Sequence, residues 1–303
     1  MLKLLYRKTK ESTHQLCRSL LQKAIRRGYE EVAQRTANHL FEVGDQAWLR
    51  SRVVVICAEE CWPFLNTFYY STKKDEILSA ISTLSMLEKN KNAAGLGSLG
   101  YALSIGDETV LEEKDNNREI QIIANAIHRP DDFWKWLISQ SQSQEQEQVI
   151  RKLILLQKKA GWPWDKSFIQ SAGFLFIKEP MKSHKIVVKQ DLIEFPYWIA
   201  LDKHTKEGKS AILAVAKECK LPTQQLGWIS FYLESALTNK SQCAYWWERE
   251  KKWRLNKIGV SINQANDIWL NVKPLLIDRL KFDADQLKSH IVKKEIFVQK
   301  ALF

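Results

Sequence analysis

The 303-residue chain carries 46 Lys and Arg against 35 Asp and Glu, a net charge of +11, with 45% apolar and 27% charged residues. This composition excludes a disordered chain and allows a sizeable core, in two packed subdomains or one large helical one. The positive balance favours a polyanionic partner and is also compatible with simple solubility. Apolar runs such as Val53 to Ala58 fall far short of the roughly 20 residues a membrane span requires. The opening MLKLLYRKTK has too short an apolar stretch for a secretory signal. Five cysteines without framework spacing suit a reducing, cytoplasmic setting.

Residues 1 to 35 hold nine Lys or Arg against three Glu, so the first helices are expected to present a basic face. Leu16, Leu20, Leu21, Ala24 and Ile25 fall on one apolar stripe. Lys23, Arg26 and Arg27 sit at the end of that helix, where cations also complement the helix dipole. Gly28 and Gly44 stand where helices commonly end in a left-handed residue, and Asp45 is placed to cap the next helix. The stretch Ser19 to Trp62 thus predicts three antiparallel helices, stopped by Pro63. Phe64, Phe68, Tyr69 and Tyr70 are expected to pack beneath them.

Within this stretch, Lys23, Ile25, Arg26, Arg27, Glu30, Glu31 and Ala33 are followed by Arg50, Arg52, Val53, Ile56, Ala58, Glu59 and Glu60. The pattern resembles the helical C-terminal region of the replication-associated recombination ATPases, the bacterial recombination factor A and Werner-helicase-interacting group. No G-x-x-x-x-G-K-[ST] phosphate loop occurs in the chain, so the ATPase activity of that group is not carried over. What the resemblance implies is a helical DNA-maintenance or oligomerisation module without its motor.

Ser71 to Asn90 predicts a fourth amphipathic helix through Ile77, Ile81, Leu84 and Leu87. Gly95, Gly97 and Gly100 then spell the dinucleotide fingerprint G-x-G-x-x-G. A helix precedes them where that motif needs a strand, so close helix packing or a flexible connection is the expected role. Two short helices flank Pro130, and the polar run SQSQSQEQEQ at 139–148 reads as a linker or the solvated start of another helix. It marks the expected boundary between an N-terminal bundle (1–140) and a second helical subdomain (141–303). After Val149 to Ala160, residues 162–198 look irregular and aromatic-rich, with HKIVV at 184–188 as the one candidate strand, in a hairpin near 184–198.

Asp202, His204 and Thr205 lie among Lys203, Lys206 and Lys209 before a helix start. They suit capping and turn formation, contact with a phosphate, or an acid/base or metal pair. In SQCAYWWEREKKWRLNK at 241–257, Trp246, Trp253 and Lys257 recur at spacings of seven and four, flanked by Arg249, Lys252 and Arg254. Such a face is either buried packing or a platform on which bases stack and cations meet phosphates. Asn263 to Leu280 and Asp283 to Val298 are expected as terminal helices, the first bent or broken at Pro274.

No G-x-S-x-G, H-E-x-x-H or paired C-x-x-C signature occurs. Cys57 and Cys61 read as buried thiols rather than half a zinc site, and Glu59 and Glu60 as partly exposed partners of Arg50 or Arg52. The expected fold is all-α, an antiparallel multi-helix bundle with a second helical subdomain. The expected function is non-enzymatic, without cofactor or metal: a nucleic-acid-associated or assembly protein in DNA replication, repair or related maintenance, with DNA favoured over RNA and no membrane. Its phosphate contacts would be Lys23, Arg26, Arg27, Lys206, Lys209, Arg249, Lys252 and Arg254, with Trp253 stacking. A protein-binding scaffold or homo-oligomer with a Trp-rich interface is the alternative, and a hydrolase or nucleotide-dependent enzyme around Asp202 and His204 a third.

Overall fold

A computed structural model describes residues 2–111, 117–178, 195–238 and 244–292, with side chains from residue 14 onward. The described chain is all-α, with no strand among the described residues. In order the helices are α1 (Leu2–Arg27), α2 (Glu30–Glu42), α3 (Gln46–Cys61), α4 (Lys74–Met86), α5 (Asn92–Ser104), α6 (Arg118–His128), α7 (Pro130–Ser139), α8 (Gln144–Gln157), α9 (Pro163–Lys178), α10 (Lys206–Glu218), α11 (Thr223–Ser230), α12 (Tyr245–Lys257) and α13 (Ile262–Val292). The expected hairpin near 184–198 falls largely on 179–194, outside the described residues; Tyr197–Ala200 form a single 3-10 turn.

Two compact units form, and neither follows the expected break at residue 140. The first is Met1–Asp45 with Lys189–Asn239 and Ile258–Phe303; the second is Gln46–Val188 with Lys240–Lys257. The polar run at 139–148 does not separate them, because the Ser143 hydroxyl accepts from the Gln146 N–H and starts α8. From Gln144 on, the run is the solvated start of α8.

In the first unit, Gly28 (φ +80°) and Gly44 (φ +84°) end α1 and α2 in the left-handed region. Asp45, expected as a cap, has its carboxylate held in a fork by Arg18 at 2.5 and 2.6 Å. α11 runs directly into a single π-helical turn, Phe231–Ser235. α13 runs as one helix through Pro274 and through 281–282, where two terminal helices, the first bent or broken at Pro274, were expected. Its buried stripe of Trp269, Val272, Leu276, Leu280, Ala284, Leu287 and Ile291 is continuous across the proline. Packing of that stripe offsets the one backbone hydrogen bond the proline removes.

The second unit takes α3 away from the three-helix run expected for 19–62. Val53 through Ala58 are all buried, so α3 is apolar on every side and suits a central position in its own unit. The glycines of α5 form packing seams. A Cβ on Gly95 would lie 2.3 Å from the Trp246 backbone of α12, one on Gly97 2.8 Å from the Phe168 ring of α9, and one on Gly100 2.5 Å from Ile123 of α6. The G-x-G-x-x-G spelling therefore marks close helix contact. Pro163 opens α9 within the stretch expected to be irregular, and Phe168, Phe174 and Phe176 turn its aromatics into core.

Candidate nucleic-acid interface

The apolar stripe of α1 continues through the positions of its cations. Lys23 follows Leu20 by three residues and Arg27 follows Lys23 by four, so the basic row lies on the buried side of the helix. Lys23 Nζ donates to Asp202 Oδ2 at 2.6 Å and to the Ser19 hydroxyl at 2.9 Å. Arg26, 2% exposed, donates from Nη1 to the Ser235 carbonyl at 2.6 Å. Arg27 donates to the carbonyl and the Oε1 of Glu234, whose Oε2 is met by Lys273 at 2.7 Å. These three cations, expected at phosphates, instead fasten α1 to the 201–205 loop and to the π turn.

Asp202 organises that loop. Its Oδ1 accepts from the His204 N–H at 2.9 Å, both carboxylate oxygens lie 3.2 Å from His204 Nδ1, and its carbonyl accepts from the Thr205 N–H and hydroxyl. Burial opposes ionisation of Asp202, but the Lys23 charge and the His204 contact outweigh it and hold the carboxyl well below the usual range. Thr205 caps α10 by accepting from the Gly208 N–H at 3.0 Å. Gly208 has no room for a side chain, since a Cβ would sit 2.0 Å from the Asp202 carbonyl oxygen. Capping and turn formation thus account for Asp202 and Thr205, while the His204 ring stays about half exposed, edge-on to Phe231 at 5.6 Å.

Beyond the cap, α10 points its cations outward. Lys206, Lys209, Leu213 and Lys217 are exposed and recur every three or four residues along α10, so they share one face, and the exposed Lys220 lies just past the end of the helix. None of the four lysines has an ion-pair partner among the described residues. Glu218, on the same helix, is paired with Arg279 at 3.2 Å. From Lys206 to Lys217 the stripe is about 16 Å long at 1.5 Å per residue. Lys206 and Lys209 were expected from the sequence, but ahead of the helix; α10 starts at Lys206 instead, which brings Lys217 onto the same face, and Lys217 and Lys220 were missed.

In the second unit the aromatic–basic segment forms α12 with its spacing as read, and the shared face is turned inward. Trp246 and Trp253 are buried, and Trp253 Nε1 donates to the Thr109 hydroxyl at 3.0 Å. Arg249 is buried, donating to Asn117 Oδ1 at 2.5 Å and to the Val110 carbonyl at 3.3 Å. The Arg254 guanidinium covers the Trp253 ring at 4.1 Å, and Lys257 pairs with Asp107. Spacing identifies a face, but not whether protein or solvent lies against it. Arg249 and Trp253, expected as contact residues, are thus buried in the unit, while Lys252 is exposed and Arg254 partly so.

Of the α3 carboxylates, Glu59 keeps its expected Arg52 partner, whereas both are buried rather than partly exposed and Glu60 takes a different partner. Glu60 is fully buried against Lys91 at 3.3 Å, and Glu59 lies between Lys91 at 3.8 Å and Arg52 at 3.5 Å. Arg52 also binds Asp165 at 3.0 Å, where burial pushes the Asp165 carboxyl up despite the cation. Cys57 and Cys61 are buried thiols, with burial raising both and Cys61 reaching about 11. A different set of soft donors, Cys17, His39 and His290, converges in the first unit. Residues so far apart in the chain carry no motif spacing. No family model, no curated protein and no solved structure matches this chain.

Proposed function

We propose that this is a non-enzymatic nucleic-acid-associated protein that grips a phosphate backbone through the outer face of α10. The observation that carries this reading is the row of Lys206, Lys209, Lys217 and Lys220, exposed and without carboxylate partners among the described residues. Neutralising phosphates with point charges gives binding without sequence preference. With Trp246 and Trp253 buried, neither indole offers a stacking platform, and Lys252 is an exposed cation of α12. The resemblance of Ser19 to Trp62 to the recombination ATPases points to DNA metabolism, with DNA favoured over RNA.

The test is fluorescence anisotropy with labelled single- and double-stranded DNA and RNA at two salt concentrations. If four lysines each neutralise a phosphate, a fourfold rise in salt weakens binding on the order of 100-fold. Replacing the four lysines by Glu should abolish it. Absence of binding at low salt, or equal binding by the variant, overturns the proposal.

A second reading, a protein-binding or self-associating scaffold, is favoured by the indole of Trp162 in the second unit, 74% exposed. Association through such a surface persists at high salt, and sedimentation with Trp162→Ala separates it from phosphate binding.

A further inference from the structure

We infer that the first unit holds a zinc-type metal ion between Cys17 of α1, His39 of α2 and His290 of α13. One ligand atom from each residue lies within 4.8 Å of the others. The two imidazoles approach through Nε2 at 3.1 Å, with ring planes at 88°. A tetrahedral zinc with bonds of about 2.05 Å to nitrogen and about 2.3 Å to sulfur separates two nitrogens by about 3.3 Å and a nitrogen from a sulfur by about 3.5 Å. The nitrogen pair is therefore already near its liganded spacing, and the sulfur needs only a small inward shift. Without a metal, two neutral imidazoles can share this contact only if one Nε2 carries the proton and donates to the other. With one, both lone pairs face the ion.

One thiolate and two imidazoles select a borderline-soft divalent ion and disfavour magnesium or calcium, which take oxygen ligands. Cys17 and His39 are buried and His290 is exposed, so the ion enters from the α13 side. On α1, His14 lies three residues before Cys17, hence on the same side of the helix. Its Nε2 is buried without a hydrogen-bond partner among the described residues. Three ligands are thus assembled and a fourth donor is one turn away. Binding the ion releases the Cys17 thiol proton to solvent and leaves the oxidation state of every group unchanged. The ion would staple α13 to the α1–α2 pair, joining helices from the first and last segments of this unit.

The experiment is a Co2+ titration of the full chain after chelator treatment, read by absorption and repeated by competition with Zn2+. The wild type should take up one equivalent, with a thiolate-to-cobalt charge-transfer band and the intense visible bands of a four-coordinate ion, all removed by Zn2+. Cys17→Ser should lose the charge-transfer band. His290→Ala, a change at an exposed position, should keep the fold by circular dichroism and lose at least about 100-fold in affinity. No stoichiometric uptake, uptake without the charge-transfer band, a band that survives Cys17→Ser, or unchanged affinity in His290→Ala would each overturn the site. Because the readout is metal binding alone, it is independent of whether α10 binds nucleic acid.

Discussion

Lys220 closes α10 at φ +55°, the one positive-φ position among the described residues occupied by something other than glycine. A side chain there costs about 1 kcal/mol relative to glycine, yet a lysine ends the cationic stripe. Lys220→Gly should raise the melting temperature while weakening nucleic-acid binding, two opposite shifts readable by calorimetry and anisotropy on one variant. Asp202 provides the pH counterpart. Its carboxyl is held low in the folded state, so its contribution is present above the unfolded value of about 3.9 and is lost as pH falls below it toward the folded value. Asp202→Asn leaves the buried Lys23 without its counter-ion, at a cost of about 3–5 kcal/mol near neutral pH. Urea unfolding at neutral and acid pH should show that loss together with a flatter acid limb. The capping role of Thr205 was legible because a cap is local; the Lys23–Asp202 pair was not, because its partners are far apart in sequence.

Among the helices, α5 gives the sharpest test. Helix propensity alone says that replacing a mid-helix glycine by alanine stabilises by about 1 kcal/mol. At Gly95 the new Cβ would meet the Trp246 backbone at 2.3 Å, and backbone yields less readily than a side-chain end. Gly95→Ala should therefore destabilise, by at least about 1–3 kcal/mol, with denaturant melts deciding between the signs. Periodicity made α4, α6 and α7 readable, since each buries one face. α3 and α5 bury most of their surface, so the pattern shows a helix and conceals its neighbours. α13 shows the opposite failure: Pro274 suggested a bend or a break and residues 281–282 a division, yet a buried stripe running from Trp269 to Ile291 keeps it one helix. On α12 the positions were read correctly, while the choice between buried packing and a solvent-facing platform, which spacing leaves open, falls to packing.

At the level of the whole chain, composition and spacing pointed to an all-helical protein, and that is what the described residues form. No helix among them is long and apolar enough to cross a membrane. The division into units was hidden because it depends on pairings between segments separated by a whole unit. The first unit is assembled from Met1–Asp45, Lys189–Asn239 and Ile258–Phe303. Protein domains usually become structured in the order in which the ribosome releases them. Here α1 and α2 leave first and must wait for α13, while the second unit has all its residues once Lys257 is out. Nascent chains arrested just after Lys257 emerges should thus protect α3 to α9 and α12 from protease while α1 and α2 are still cut. During synthesis Lys23, Arg26 and Arg27 emerge long before their partners Asp202, Ser235 and Glu234, so the basic side of α1 stays unfastened beside ribosomal RNA until those residues follow.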